Sequence, residues 1–160
     1  MVSRLSNEKP IVYESEEHHV RTDSSNTDEL SLEPIDHLKI FDHIRYIKDP
    51  ELPSSLEHLN VLTQDSVEVD NDKSYVRVTF TPTMKHCDMT TIIGLCVRVK
   101  LMRSLPARYK VDIRVAPGTH ATEAAVNKQL NDKERVSAAL ENPYIVEIVD
   151  ECLSHYLNVA

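Results

Sequence analysis

Val67-Glu68-Val69-Asp70-Asn71-Asp72-Lys73-Ser74-Tyr75-Val76-Arg77-Val78-Thr79-Phe80 alternates apolar and polar residues on either side of a polar turn. A period of two puts Val76, Val78 and Phe80 on one face and Tyr75, Arg77 and Thr79 on the other. The stretch reads as a β-hairpin with one buried face. A third strand, Tyr109 to Val115, repeats the pattern with Val111, Ile113 and Val115 inward and Asp112 and Arg114 outward. Between them, Met89 to Leu105 carries Ile92, Ile93, Leu95, Cys96, Val99 and Met102 as a broad helical stripe, and Pro106 ends it. Arg98, Lys100 and Arg103 suit the negative end of that helix's dipole. Gly94 in its middle costs about 1 kcal/mol against Ala, which predicts close packing there.

Upstream, Ile35, Leu38, Phe41, Ile44 and Ile47 recur at helical spacing, with Asp36, Lys39, Asp42 and Arg45 between them. This helix is expected to run to Asp49-Pro50, since the residue before proline avoids the α region. Pro53 to Glu57 reads as a turn and a short helical stretch capped by Ser54 or Ser55. Downstream, Thr119 or Thr122 opens a short helix through Leu130. Asn131 to Glu134 has capping-box spacing with Asn131 as the cap. Asn142-Pro143 restarts the chain into a last helix whose apolar face is Ile145, Ile148, Val149, Cys152 and Tyr156. The order predicts an α+β fold, a small three-stranded mixed sheet packed with helices over residues 34–160.

Residues 1–33 differ. They hold eight acidic side chains (Glu8, Glu14, Glu16, Glu17, Asp23, Asp28, Glu29, Glu33) against Arg4, Lys9 and Arg21, which is −5 of the chain's −8. With little apolar periodicity they are expected to form a flexible acidic tail. Pro10-Ile11-Val12-Tyr13 is an apolar patch inside it, either chance composition or a segment that docks on a groove.

Composition excludes several functions. The net charge of −8 argues against binding a phosphate backbone through bulk charge. Two glycines, Gly94 and Gly118, cannot build a glycine-rich phosphate loop. No apolar run approaches the roughly 20 residues that span a bilayer, and Met1 to Leu5 has no hydrophobic signal region. Three cysteines without a signal point to a reducing compartment, hence to a soluble intracellular protein.

The chemistry concentrates between the second strand and the long helix, at His86-Cys87-Asp88. A cysteine at a helix N-terminus meets free N–H groups that stabilise a thiolate. His86 and Lys85 add positive charge, whereas Asp88 opposes the thiolate. Cys87 is thus either a reactive thiol or a small cap residue. Pro117-Gly118-Thr119-His120 sits at a second strand-to-helix junction. If the two strands are neighbours, His120 and Cys87 share one end of the sheet, as nucleophile and base, as two ligands, or with His120 simply solvated. No third polar residue is evident to orient the histidine. Cys96 and Cys152 read as small core hydrophobes, and no CxxC or HxxxH spacing supports a self-contained zinc site. The polar run Asn127 to Arg135 is either a solvated helix face or a partner-binding surface, with Lys128, Lys133 and Arg135 as its cations.

Asp49-Pro50-Glu51, Phe80-Thr81-Pro82-Thr83, His86-Cys87, Ile93-Gly94-Leu95, Arg103-Ser104-Leu105-Pro106, Pro117-Gly118-Thr119-His120 and Asn127 to Val136 together resemble the cytosolic iron–sulfur assembly component 2 family. The likeness is to its plant-type, asymmetric-leaves-enhancer-like branch, and it runs from about Pro10 to Leu153. The resemblance implies a non-enzymatic adaptor with an iron–sulfur scaffold-like domain. Such an adaptor joins a WD40 propeller protein and a HEAT-repeat scaffold and passes iron–sulfur clusters to cytosolic and nuclear apo-proteins, linking it to chromosome segregation. It implies a homodimer, residence in cytoplasm and nucleus, no tightly bound cofactor and at most a transient cluster. Cys87 would be the reactive thiol, with His86 and His120 as candidate cluster or metal contacts. Ile11, Val12 and Tyr13 join Lys128, Lys133 and Arg135 as candidate partner contacts. Asp88-Met89-Thr90-Thr91 stands where the family usually has Ser-Met-Ala-Thr, and Met84-Lys85 also departs from it. A cysteine-dependent enzyme using Cys87 with His120, and an adaptor without cluster chemistry, are the alternatives.

Overall fold

The computed structural model describes residues 34–83, 89–120 and 122–154. The acidic segment 1–33, with Ile11, Val12 and Tyr13, the His86-Cys87 pair and Tyr156 lie outside the described residues. In chain order come α1 (His37–Ile44), a 3-10 turn (Gln64–Ser66), β1 (Val67–Asp70), β2 (Tyr75–Phe80), α2 (Met89–Ser104), β3 (Lys110–Val115), α3 (Glu123–Asn131), α4 (Lys133–Glu141) and α5 (Pro143–Leu153). This is the expected α+β class. β2 is the middle strand: it pairs antiparallel with β1, Val69 opposite Val76, and parallel with β3, Val78 opposite Ile113. Val76, Val78, Phe80, Ile113 and Val115 bury the predicted inner face.

α2 carries the chain from β2 across to β3 and packs on α1, β3, α3 and α5. Enclosed by so many neighbours, it is buried almost all round, with Thr90, Leu95, Val97 and Leu101 covered along with Ile93, Cys96 and Val99. The expected stripe is therefore only part of the buried surface. Met102, assigned to it by spacing, is 59% exposed and faces a groove beside Leu105, Tyr109 and Val136. Burial at the last turn is decided by what lies opposite, not by helical period.

α1 is shorter than the spacing predicts. It ends at Ile44, because Arg45 and the residues after it turn into a loop closed by Lys48 and Ser55, with Leu56 N donating to Ile47 O at 2.7 Å. Ser55 caps the next turn by accepting from His58 N, as one of the two candidate serines, but no helix follows. Arg45, read from its spacing as a solvent-face residue, is 4% exposed. Its guanidinium meets Glu57 fork to fork at 2.9 and 2.6 Å, over the Phe41 ring. A buried charge of this kind is tolerated only when paired and hydrogen-bonded, and the planar fork provides both.

β3 is an edge strand, and its outward backbone groups are capped by side chains. Ile113 N donates to Asn131 Oδ1 at 3.0 Å, and Asn131 Nδ2 donates back to Ile113 O at 2.9 Å. Val115 N donates to Asn127 Oδ1 at 2.7 Å. Arg98 Nη2 donates to Val111 O at 2.9 Å and to Asn131 Oδ1 at 2.7 Å. Asn127 and Asn131 lie one helical turn apart on α3, which matches the two-residue step from Val115 to Ile113. Asn131 is thereby spent, and Asp132 is the cap of α4, accepting from Glu134 N and Arg135 N. The expected Asn131 cap is corrected by one residue. Asn142 caps α5 with Pro143 in its first turn, as expected.

Gly94 is packed as its position predicts. A Cβ built there would lie 2.8 Å from Leu130 Cδ2 and closer still to Cδ1. Leu130 is fully buried, so its methyl groups can yield only by displacing other core atoms. Gly94→Ala gains about 1 kcal/mol of helix propensity but forces overpacking of about 1–3 kcal/mol, and the contact is severe enough to reach the upper end. The variant is expected to lose about 1–2 kcal/mol by urea denaturation. Combining it with Leu130→Ala should cost less than the two single losses summed; a strictly additive double variant would refute the contact.

Candidate functional site

Because β2 and β3 are parallel neighbours, their carboxyl ends lie together. Phe80 stands opposite Val115, and Ala116 N donates to Phe80 O at 2.8 Å. That meets the condition on which the sequence placed His120 and Cys87 at one end of the sheet. From β2 the chain passes Thr81, Pro82 and Thr83, with Thr81 N tied to Val61 O at 2.9 Å, and re-enters as Met89 of α2. From β3 it turns through Pro117-Gly118-Thr119-His120.

That turn is held rigidly. Gly118 takes φ +77°, where a side chain would be strained, and its N–H donates to Glu123 Oε2 at 2.6 Å. Thr119 donates to Ala116 O through both its backbone N–H and its hydroxyl. Thr119 thus braces the turn, while Thr122 stands at the N-cap of α3 without a side-chain capping bond.

Thr122 orients the histidine instead. Its N–H donates to His120 Nδ1 at 3.1 Å, with its hydroxyl 3.2 Å from the same nitrogen. This is the third polar residue that spacing did not reveal. A backbone N–H can only donate, so Nδ1 is an acceptor and the proton of the neutral ring sits on Nε2. Nε2 is buried and has no partner among the described residues. In this state it offers a hydrogen bond to an anion such as a thiolate or sulfide. It has no lone pair with which to take a thiol proton or bind a metal.

Asp49-Pro50-Glu51, joined to this region only through the resemblance, is brought to it by the fold. Asp49 and Glu51 line a small cleft of about 10 Å³ with Pro82, Thr83, Met89 and Thr90. The cleft therefore touches both ends of the segment that carries His86 and Cys87. Burial pushes the Asp49 carboxyl above its ordinary range, while the N–H groups of Glu51 and Leu52, at 2.8 and 3.0 Å, draw it back. Thr90 Oγ1, in the first turn of α2, is buried without a partner among the described residues.

Cys96 and Cys152 are core residues, 0% and 3% exposed. They meet in a hydrogen bond between α2 and α5, and that bond and burial hold the Cys96 thiol well above its ordinary value. Among the described residues no three His, Cys, Asp or Glu side chains form a metal-binding group. Of the cations predicted to meet a partner, Lys128, Lys133 and Arg135 are exposed on α3 and α4. Lys128 and Lys133 border the groove beneath Met102, whereas Arg135 lies 3.9 Å from Asp132. No helix among the described residues is long and apolar enough to cross a membrane.

No family model matches the chain. Full-length relatives do. It is 72% identical over 153 residues to Protein AE7 of Arabidopsis thaliana, covering 96% of this chain and 98% of that protein. It is 51% identical over 150 residues to cytosolic iron-sulfur assembly component 2B of Mus musculus, covering 94% and 91%. It is 47% identical over 154 residues to the MIP18 family protein galla-2 of Drosophila melanogaster, covering 96% and 98%.

The Thr122 contact fixes a measurable state. Long-range proton–nitrogen spectra at neutral pH are expected to show His120 as the Nε2–H tautomer. A ring protonated on Nδ1 would contradict the hydrogen bond that orients it.

Proposed function

The chain belongs to the cytosolic iron–sulfur assembly component 2 (MIP18) family, in the plant branch that includes Protein AE7, and from that premise we propose that it works as an adaptor in cytosolic iron–sulfur assembly. The relatives' names support an assembly component rather than an enzyme. In this reading the protein helps deliver clusters to apo-proteins, docked with a WD40 propeller protein and a HEAT-repeat scaffold and itself paired as a homodimer. It does so in the cytoplasm and, for nuclear clients, in the nucleus. Cys87 is the thiol that meets the cluster or the client.

The observation that carries the reading is the buried Nε2 of His120, without a partner among the described residues, at the carboxyl end of the parallel strands. The chain leaves that end at Thr83 and returns at Met89, and His86-Cys87 lies between. A donor aimed from a braced turn suits a thiolate or a cluster sulfide, which gain stabilisation from an N–H without any proton transfer. The same tautomer weighs against a cysteine-dependent enzyme, which needs Nε2 free to accept the thiol proton. The cluster is cargo here, so no resident ligand set is required of the described residues.

The test uses the full chain in cells depleted of the endogenous protein. Cys87→Ser is expected to lower iron incorporation into a client iron–sulfur enzyme at least several-fold, with capture of the propeller partner unchanged. His120→Gln, which keeps a side-chain donor, should retain more activity than His120→Ala. Full client maturation by Cys87→Ser would remove the thiol from the mechanism. Loss of propeller capture by the parent chain would remove the adaptor role.

A further inference from the structure

On the side of the sheet edge away from β2, a groove of about 1130 Å³ runs between the end of α2, β3 and the α3–α4 corner. Its wall combines apolar surface from Met102, Leu105, Tyr109 and Val136 with a ring of cations. Arg108, Lys110, Lys128 and Lys133 all border it, and none of them forms an ion pair with a described residue. Arg114 and Asp112 also border it but are paired with each other at 3.0 Å. Six basic residues, Arg98, Arg108, Lys110, Arg114, Lys128 and Lys133, stand against two acidic ones, Asp112 and Asp132, so the groove is +4. The body it belongs to is acidic: removing the −5 of residues 1–33 from the chain's −8 leaves −3.

The fold limits how anything binds there. The outward backbone groups of β3 that face the groove are already taken by Asn127, Asn131 and Arg98. A segment therefore cannot add to this edge as another strand, the usual route for a peptide at an open sheet edge. Docking is left to side chains, through apolar contact and charge.

Residues 1–33 have both. Eight carboxylates surround one apolar patch, Pro10-Ile11-Val12-Tyr13, followed at once by Glu14, Glu16 and Glu17. The described chain begins beside the groove. Ile35 N and O both pair with the Asn71 side-chain amide at 3.1 Å, and the Tyr109 hydroxyl, on the groove wall, donates to the same Asn71 Oδ1 at 2.9 Å. Tyr13 is 22 residues before Ile35, which a flexible chain spans over about 25 Å on average, so reach is no obstacle. Tethering also raises the local concentration to the millimolar range, enough to populate a weak contact.

We propose that this basic groove is the docking site of the chain's own acidic segment, with Ile11, Val12 and Tyr13 on its apolar wall and Glu14, Glu16 and Glu17 against Arg108, Lys110, Lys128 and Lys133. The inference stands apart from Cys87 and from cluster delivery.

Carbodiimide cross-linking of the full chain tests it, using an equal mixture of ordinary and ¹⁵N-labelled protein read by peptide mass. Carboxylates of residues 8–33 are expected to join Lys110, Lys128 and Lys133 several-fold more often than Lys39, Lys48 and Lys73. Lys39 and Lys73 are stringent controls, being exposed and close in sequence to Ile35 and Asn71, where the segment enters. High salt should abolish the preference, because exposed charge pairs are screened within about 3 Å at 1 M. The triple variant Glu14→Lys, Glu16→Lys, Glu17→Lys, which alters no described residue, should abolish it too. Links spread evenly over all six lysines would overturn the proposal. So would links that join a labelled chain to an unlabelled one, since the occupant would then be a second copy's segment.

Discussion

The open edge of β3 is closed by side chains, and the rest of the structure depends on that closure. A strand at a sheet edge presents unpaired N–H and C=O groups, which either stay wet or find partners. Here Asn131 returns both a donor and an acceptor to Ile113, Asn127 accepts from Val115, and Arg98 reaches Val111. An unsatisfied backbone group costs about 1–3 kcal/mol when buried. Four such groups, even discounted for partial exposure, are comparable with the roughly 5–15 kcal/mol that holds a domain of this kind folded. Leu130, between the two asparagines, fills the hollow over Gly94, so the same helix that closes the edge also locks α2.

Register follows from this clamp, and position follows from register. A one-residue slip of β3 would put Asp112 and Arg114 into the core. In register, Val115 ends opposite Phe80, and the turn that follows is braced by Gly118, Thr119 and Glu123. His120 then points one nitrogen at Thr122 and leaves the other, buried, without a partner among the described residues. The groove is a second consequence: the side chains that seal the β3 edge line it, and Arg108, Lys110, Lys128 and Lys133 beside them form no ion pair with a described residue.

Elements whose period matches their burial were legible in the sequence. β1, β2 and β3 alternate cleanly because one face of this small mixed sheet, two of whose three strands are edges, is not packed into the core. Gly94 was legible because a glycine inside a helix costs stability that close packing explains, and the Asn142-Pro143 helix start because a cap residue before proline suits a first turn. The limits of α1, the exposure of Met102 and the burial of Arg45 were not, since each depends on what another segment places opposite. Asn131 shows the difficulty most clearly. Its spacing to Glu134 fits a capping box, yet a strand eighteen residues earlier claims its amide and Asp132 caps α4 instead. Thr122 escaped for the same reason, read as a cap when its N–H serves a histidine two residues before. An i, i+4 pair of asparagines on a helix that follows an edge strand is a signal that could have found the clamp.

Site-resolved native amide exchange at Ile113 and Val115 tests the clamp most directly, with the Val78 amide of the middle strand as reference. Asn131→Ala is expected to accelerate exchange at Ile113 by roughly tenfold or more relative to Val78, leaving Val115 little changed; Asn127→Ala should do the reverse. Each asparagine holds one of the two amides, so the effects should separate. If both amides stay as protected in the variants as in the parent chain, the edge is closed by something other than these side chains and the account fails.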